Sequence, residues 1–436
     1  AYLIFNTRDG ELKTDGKSIS GYQKLGNHTQ VYIYLETDQQ PLKIGTHQGA
    51  VIRTTDKSTQ GHNAYYILEY PKGTASVLLR YGVSFISSEQ AKQNLRREIK
   101  NYNLQAVADK GRSVWNETLG KIFVKGGTEN EKTVFYTSLY RTYERMICIS
   151  EDGRYFSAYD GQVHDDEGIP FYVDDWIWDT YRATHPLRLI IETEMESNMV
   201  NSLIRMAYQM QPNWMPTFPE INGDSRRMNC NHGVATVLDA YNKGMRSFDL
   251  AKAYQVCKAA ITEKTLAPWS SKPAGVLDQF YKDHGYFPAL AVGEQETVPE
   301  VHSWERRQPA AVTLGTVYDE WCLGNIAQAL GDKKEADYFL KRSLNYHKIF
   351  NKETCFFHPK DSFGNFIQPF DYRYSSGVGG RDAYDENNGW VYRWDLPHNV
   401  ADLVNMMGGK ERFVEELERM YSTPLGKGRP DFHHQF

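Results

Sequence analysis

The chain has 436 residues, 40% of them apolar and 24% charged, with a formal net charge of −5 and both signs interspersed. Those figures describe a globular protein long enough for two or three domains. They exclude the basic stripe of a nucleic-acid binder, and no apolar run approaches the roughly 20 residues needed to span a bilayer.

Aromatic residues are plentiful, with 29 Tyr, 20 Phe and 9 Trp. Most such rings fill a core, but flat faces among scattered Asp, Asn and His also suit a carbohydrate site. The five cysteines, at 148, 230, 257, 322 and 355, contain no CxxC pair and read as small buried hydrophobes. The opening Ala1-Tyr2-Leu3-Ile4 has neither the basic start nor the apolar stretch of a signal peptide.

Residues 1–87 read as β. Val31–Leu35, Ala64–Tyr70 and Ala75–Ser84 are aromatic and β-branched runs separated by turn-formers such as Asp9-Gly10, Gly26-Asn27 and Pro71-Lys72-Gly73. Several such strands suggest part of a β-sandwich. At Ser87-Ser88-Glu89-Gln90 the spacing of a capping box appears, and Ala91, Leu95 and Ile99 follow at helical intervals. Residues 88–120 thus form a helical linker, and Lys121–Lys125 reads as a strand.

From about 130 helices dominate. Phe135/Leu139/Tyr143, Met199/Leu203/Met206/Met210, Leu323/Ala327/Leu330, Leu340/Leu344 and Phe413/Leu417/Met420 mark apolar faces. Further helices are expected at 233–243, 249–262 and 400–407. Residues 121–436 are therefore expected to form an α/α domain. Long loops are expected at 151–175, 211–231, 263–312 and 353–385, where unusual length points to function.

Three stretches concentrate chemistry: Val173–Arg182 with His185-Pro186-Leu187, Met228–Gly233, and Tyr384–Trp394 with Pro397-His398-Asn399. Glu386 stands between Tyr384 and Trp390, where desolvation would favour its acid form; pairing with Arg393 or capping a helix is the alternative. Asp179 with Arg182 at i,i+3 also fits a structural ion pair, and His232 fits a hydrogen-bonded core histidine. His164–Glu167 fits either a cation site or a solvated turn, and His433-His434 reads as exposed.

In order and wording these motifs resemble glycoside hydrolase family 92. The family's Trp-Asp-Thr-Tyr-Arg stands at Trp178–Arg182. Its Met-x-Gly-x-His resembles Met228–His232, with Cys230 in place of Gly, and its Gly-Tyr-x-Pro is Gly285–Pro288. Its Tyr-x-Glu-Gly-Asn-Ala-Trp-Gln-Tyr resembles Tyr384–Tyr392, and its Pro-His-Asp resembles Pro397–Asn399.

The resemblance runs from about 80 to 425. It implies a β-sandwich followed by an (α/α)6-barrel-like helical domain, here C-terminally truncated. It also implies a calcium-dependent (Ca2+), inverting exo-α-mannosidase, extracellular or periplasmic, acting on mannose-containing oligosaccharides. The general acid maps to Glu386, and the terminal-mannose contacts map to Trp178 and Asp179. Arg182, His232, Asn388, Trp390 and His398 join them as expected substrate contacts.

Departures are Asn387 for Gly, Gly389 for Ala, Val391 for Gln, Asn399 for Asp, and Gly315 for Glu. The family's metal-binding Asn-Glu segment and general-base segment would fall beyond 436. An internal fragment, weakly active alone, is therefore expected. A carbohydrate-binding homologue without turnover and a different glycosidase specificity are the alternatives.

Overall fold

Seven antiparallel strands open the chain: β1 (Tyr2–Thr14), β2 (Ser18–Gly26), β3 (Thr29–Thr37), β4 (Lys43–Gln48), β5 (Val51–Arg53), β6 (Ser58–Glu69) and β7 (Leu79–Ser84). The structure, a computed structural model, describes residues 1–26, 28–48, 51–53, 56–373 and 382–422, so His433 and His434 lie outside the described residues. The chain divides into two compact units, residues 1–174 with 220–223, and residues 175–219 with 224–436.

In the first unit the strands form one sheet in the order β5-β4-β6-β1-β2-β3-β7. Alternation along the strands sends Leu12, Ile19, Leu35, Tyr66 and Leu68 to a shared apolar cluster. Helix α1 (Ser88–Glu98) begins at Ser87, whose side chain accepts from the Gln90 amide as the capping spacing predicts. Its buried Ala91 and Leu95 pack with Tyr34. Gly82 makes this seat feasible, because a Cβ there would lie 2.1 Å from the Ala91 carbonyl oxygen. Helices α2 (Leu104–Leu119) and α3 (Glu129–Arg141) complete the run. Lys121–Lys125 forms no strand: Phe123 is exposed and no neighbouring strand pairs with the segment.

The second unit is helical: α4 (Ile177–Thr180), α5 (Thr184–Ile191), α6 (Thr193–Gln209), α7 (Gly233–Asn242), α8 (Leu250–Thr262), α9 (Val276–His284), α10 (Pro309–Ala329), α11 (Lys333–Arg342), α12 (Gly389–Tyr392), α13 (Val400–Met406) and α14 (Lys410–Ser422). Helix α9 falls inside the expected 263–312 loop; Leu277 and Tyr281 bury one short stripe between Gly275 and Gly285, too brief to read as periodic. Helix α10 is buried nearly all round and packs against α7, α8 and α11, which makes it the axis of the unit. Its Leu314 and Val317 join Tyr346, Phe357, Tyr384, Tyr392 and Leu396 in the core. Among the described residues no helix is long and apolar enough to cross a membrane. Four of the five cysteines are buried and Cys148 is exposed.

The seating of α1 is testable. Gly82→Ala should cost about 1–3 kcal/mol, the usual range for overpacking, measured by denaturant unfolding. An unchanged midpoint would show that the close approach at Gly82 does not hold the helix.

Candidate active site

Trp178 and Asp179 ride on α4, a single turn that could not persist by itself. A buried network underneath fixes it. Asp175 accepts from the Thr180 hydroxyl at 2.9 Å and from His185 Nε2 at 2.8 Å, while His185 Nδ1 donates to Glu196 Oε1 at 2.7 Å. Burial disfavours a charged ring, yet the Glu196 and Asp175 carboxylates outweigh it and raise the His185 pKa to about 10. Burial also opposes ionised Asp175, and the charge and hydrogen bond of His185 hold its carboxyl below the usual range.

His232 sits at the start of α7. Its Nδ1 lies 2.7 Å from Asp319 Oδ1, and the other Asp319 oxygen accepts from the Asn231 amide at 2.7 Å. The Tyr181 ring stacks on the imidazole with centroids 4.2 Å apart. Arg182 donates to Asp395 at 2.5 Å and to the Tyr181 hydroxyl, so its ion pair goes to Asp395. Glu386, half-buried at φ 53, lies between buried Asp385 and Asn387. Asn229 ties that segment down, donating to Asp385 Oδ2 at 3.0 Å and to Gln308 Oε1 at 2.7 Å. Arg393 pairs with Glu416 at 2.7 Å.

These groups meet at one cavity of about 830 Å³, lined by Trp178, Asp179, Arg182, His232, Gly315 and Glu386, with Asn387 and Val391 beside them. Three of the expected contacts stand elsewhere. Asn388 caps α12, its side-chain oxygen accepting from the Trp390 and Val391 amides. Trp390 packs edge-on against Phe356. His398 binds the Ser343 carbonyl among the rings of Tyr318, Trp321 and Tyr346, and burial lowers its pKa. Sequence reasoning held Asp175 within its first stretch without giving it a role, and passed over Glu196 and Asp319. Two adjacent acidic residues, Asp319 and Glu320, within a largely apolar helix were the available sign for Asp319, since unpaired carboxylates are seldom buried.

The wall contains a matched pair of departures. Gly315 faces the cavity, and a Cβ there would lie 2.2 Å from Cys230 Sγ and 3.4 Å from His232 Cε1. Cys230 holds that space from a left-handed backbone, φ 63, where glycine would be unstrained. Burial, reinforced by Asp319, pushes its thiol pKa well up, so it is an inert filler.

Calcium needs six to eight oxygen donors. Among the described residues no three His, Cys, Asp or Glu side chains group to hold a metal. Among the described residues, carboxylate side chains alone therefore do not supply such a set.

A helical domain with carboxylates, indoles and histidine around one open cavity has the make-up of a glycoside hydrolase domain. The profile of the glycosyl hydrolase family 92 catalytic domain matches residues 90–435. The chain belongs to glycosyl hydrolase family 92.

An inverting mannosidase of this family from Bacteroides thetaiotaomicron VPI-5482 superposes with a TM-score of 0.82 at 26% identity, over 96% of this chain and 55% of that one. An α-mannosidase of the family from Bacteroides thetaiotaomicron, solved with mannoimidazole, gives 0.81 at 21% identity, over 98% and 56%. An uncharacterized secreted glycosidase of Arthroderma benhamiae is 24% identical over 405 residues, 84% of this chain and 46% of that protein. The chain thus spans about half the length of these relatives.

Two measurements probe the site's supports. Raised above its unfolded value of about 6.5, the His185 pKa makes its stabilisation complete below pH 6.5 and lost as pH climbs through about 10. Over that interval unfolding free energy should fall with a slope approaching about 1.4 kcal/mol per pH unit, and His185→Asn should flatten it; equal slopes would refute the imidazolium. Separately, Gly315→Ala should cost about 1–3 kcal/mol, and Cys230→Gly in the same chain should return most of it. Additive losses in the double variant would show that the two positions are independent.

Proposed function

We propose that this chain carries the acid and the sugar-gripping wall of an inverting exo-α-mannosidase. The observation that carries the reading is the meeting of Trp178, Asp179, His232 and Glu386, from three motifs spread over more than 200 residues, on one open cavity. The inverting and mannoimidazole-bound mannosidases among its structural relatives support mannose as the sugar.

In this reading the terminal mannose lies against Trp178, with Asp179 accepting hydrogen bonds from its hydroxyls. His232, oriented by Asp319 and clamped by the Tyr181 ring, directs its free edge at the sugar. Glu386 hands its proton to the departing glycosidic oxygen. Glu386 holds its left-handed backbone at a cost of order 1–3 kcal/mol, met by the bonds around Asp385. Inversion requires a second carboxyl about 6.5–9.5 Å away, activating water on the opposite face; we assign no residue of this chain to that part. Calcium dependence, an extracellular or periplasmic location, and N-glycans or mannans as substrates belong to the same reading. Any calcium would need donors beyond those grouped here.

The test uses the complete protein on α-linked mannobiosides. Glu386→Gln should cut kcat about 10²–10⁴-fold on these poor leaving groups, and much less on aryl mannosides with good ones. NMR should show β-mannose released first. Normal rates in the variant, or α-mannose as first product, would overturn the assignment.

A further inference from the structure

Lys264 is a buried cation that the chemistry above leaves unused. It follows α8 by two residues and keeps only 7% of its surface exposed. A bridge to Pro273 holds its backbone, flanked by the Thr265 amide on the Lys272 carbonyl at 3.0 Å and the Ala274 amide on the Glu263 carbonyl at 2.7 Å.

Its ammonium donates to a neutral group, the Thr217 hydroxyl, at 2.9 Å. The carboxylates that face it are engaged elsewhere. Asp224 accepts from the Thr217, Phe218 and Arg226 amides, and Asp278 accepts from the Leu266 and Gly275 amides. Burial pulls the Lys264 pKa down to about 8; Arg226 reinforces the shift, while Asp224, Cys230 and Asp278 oppose it. A buried charge without an ionic partner is costly, and such groups concentrate at functional sites.

Lys264 stands behind the turn that presents His232. The Thr217 oxygen that binds Lys264 also accepts from Asn231 Nδ2 at 3.4 Å, and the same amide donates to the Met215 carbonyl at 3.2 Å. Asn231 Oδ1 is buried, with no hydrogen bond among the described residues. Asn231, Lys264 and Asp319 border a small cavity of about 10 Å³, room for one water. The Asn231 backbone amide and His232 Nδ1 share the Asp319 carboxylate. One hydroxyl thus connects the ammonium with the residue next to the imidazole.

We propose that Lys264 is a positioning residue for His232: through Thr217 its ammonium fixes Asn231, and Asn231 fixes the turn that carries the imidazole to the cavity. An ammonium can only donate, which obliges the Thr217 oxygen to accept; a neutral amine can also accept, and that obligation is lifted. The consequence for a bound sugar rests on the mannosidase reading above, whereas the coupling of Lys264 to His232 does not.

Two readouts on the complete protein test this. The first is the pH course of the His232 ring signal in protein carrying 13C at histidine Cε1, the signal being identified by its loss in His232→Asn. It should show a step near pH 8. The step should vanish in Lys264→Met and in Thr217→Val, and return in Thr217→Ser, which restores the hydroxyl. The second is calorimetric binding of α-linked mannobiose to the Glu386→Gln protein. Binding should weaken about tenfold as pH rises through 8, the loss of one well-placed hydrogen bond, and Lys264→Met should bind weakly at every pH. No step in the parent, or a step that persists in Lys264→Met, overturns the proposal. So does a step that persists in Thr217→Val, because bare charge would then act through space. The Thr217 pair keeps the test decisive if Lys264→Met does not fold. A step with the expected pattern but no mannobiose binding at any pH upholds the positioning and rejects the mannosidase reading. Mannobiose binding without a step does the reverse.

Discussion

The His185 imidazolium, fully buried and gripped by Asp175 on one nitrogen and Glu196 on the other, is the constraint on which one wall of the cavity depends. Burying an ion costs several kcal/mol unless its partners are complete. Here both ring N–H groups are bound, Asp175 gains the Thr180 hydroxyl, and Arg188 adds a second positive charge near it. Trp178 and Asp179 therefore inherit their direction from residues on both sides of their own turn. Removing any one partner leaves an uncompensated charge, which typically costs about 3–5 kcal/mol. Such a substitution would act on the site without touching a sugar.

The opposite wall depends on α10. A helix apolar on every side has no solvent face to orient it, so its polar residues must be satisfied internally. Asp319 does this by holding both Asn231 and His232. The same contact fixes the loop of Met228 and Cys230, left-handed at φ 65 and 63. Glu386, also left-handed, lines the cavity, and Arg306, likewise left-handed, lines a second one. The apolar packing of α10 offsets the strain of these positions.

How much was legible follows from how local each signal is. The strand-to-helix change at Ser87 was readable because a cap and a stripe lie within about a dozen residues. Helix α9 was not, since two buried side chains make no period. The convergence of Glu386 with Trp178 and His232 was suggested by the three dense stretches and by motif resemblance; spacing says nothing about neighbours more than 150 residues away. Trp390 and Asn388 were expected beside Glu386 as substrate contacts, yet Trp390 packs edge-on against Phe356 and Asn388 caps α12. Asp175 and Glu196 were invisible because nothing local marks two carboxylates as sharing one histidine.

The departures from the family pattern separate on the same grounds. Asn399 caps α13 by accepting from the Asp402 amide, a task aspartate performs equally well, and it also donates to Tyr346. Gly389 lies under the rings of Tyr372 and Tyr384, where a Cβ would come within 3.0 and 2.9 Å. Those two changes are settled by neighbouring packing. Asn387, Val391 and Gly315 instead face the cavity. There an apolar valine stands where a carboxamide is usual and Cys230 takes the space beside Gly315, while Asn387 adds an amide where glycine is usual, so the wall redistributes its polar groups. A polar wall rejects ligands that leave its groups unpaired, whereas an apolar one discriminates weakly. The departures that face the cavity leave the buried supports beneath α4 and α7 untouched, since Asp175, His185, Glu196 and Asp319 all stand apart from them.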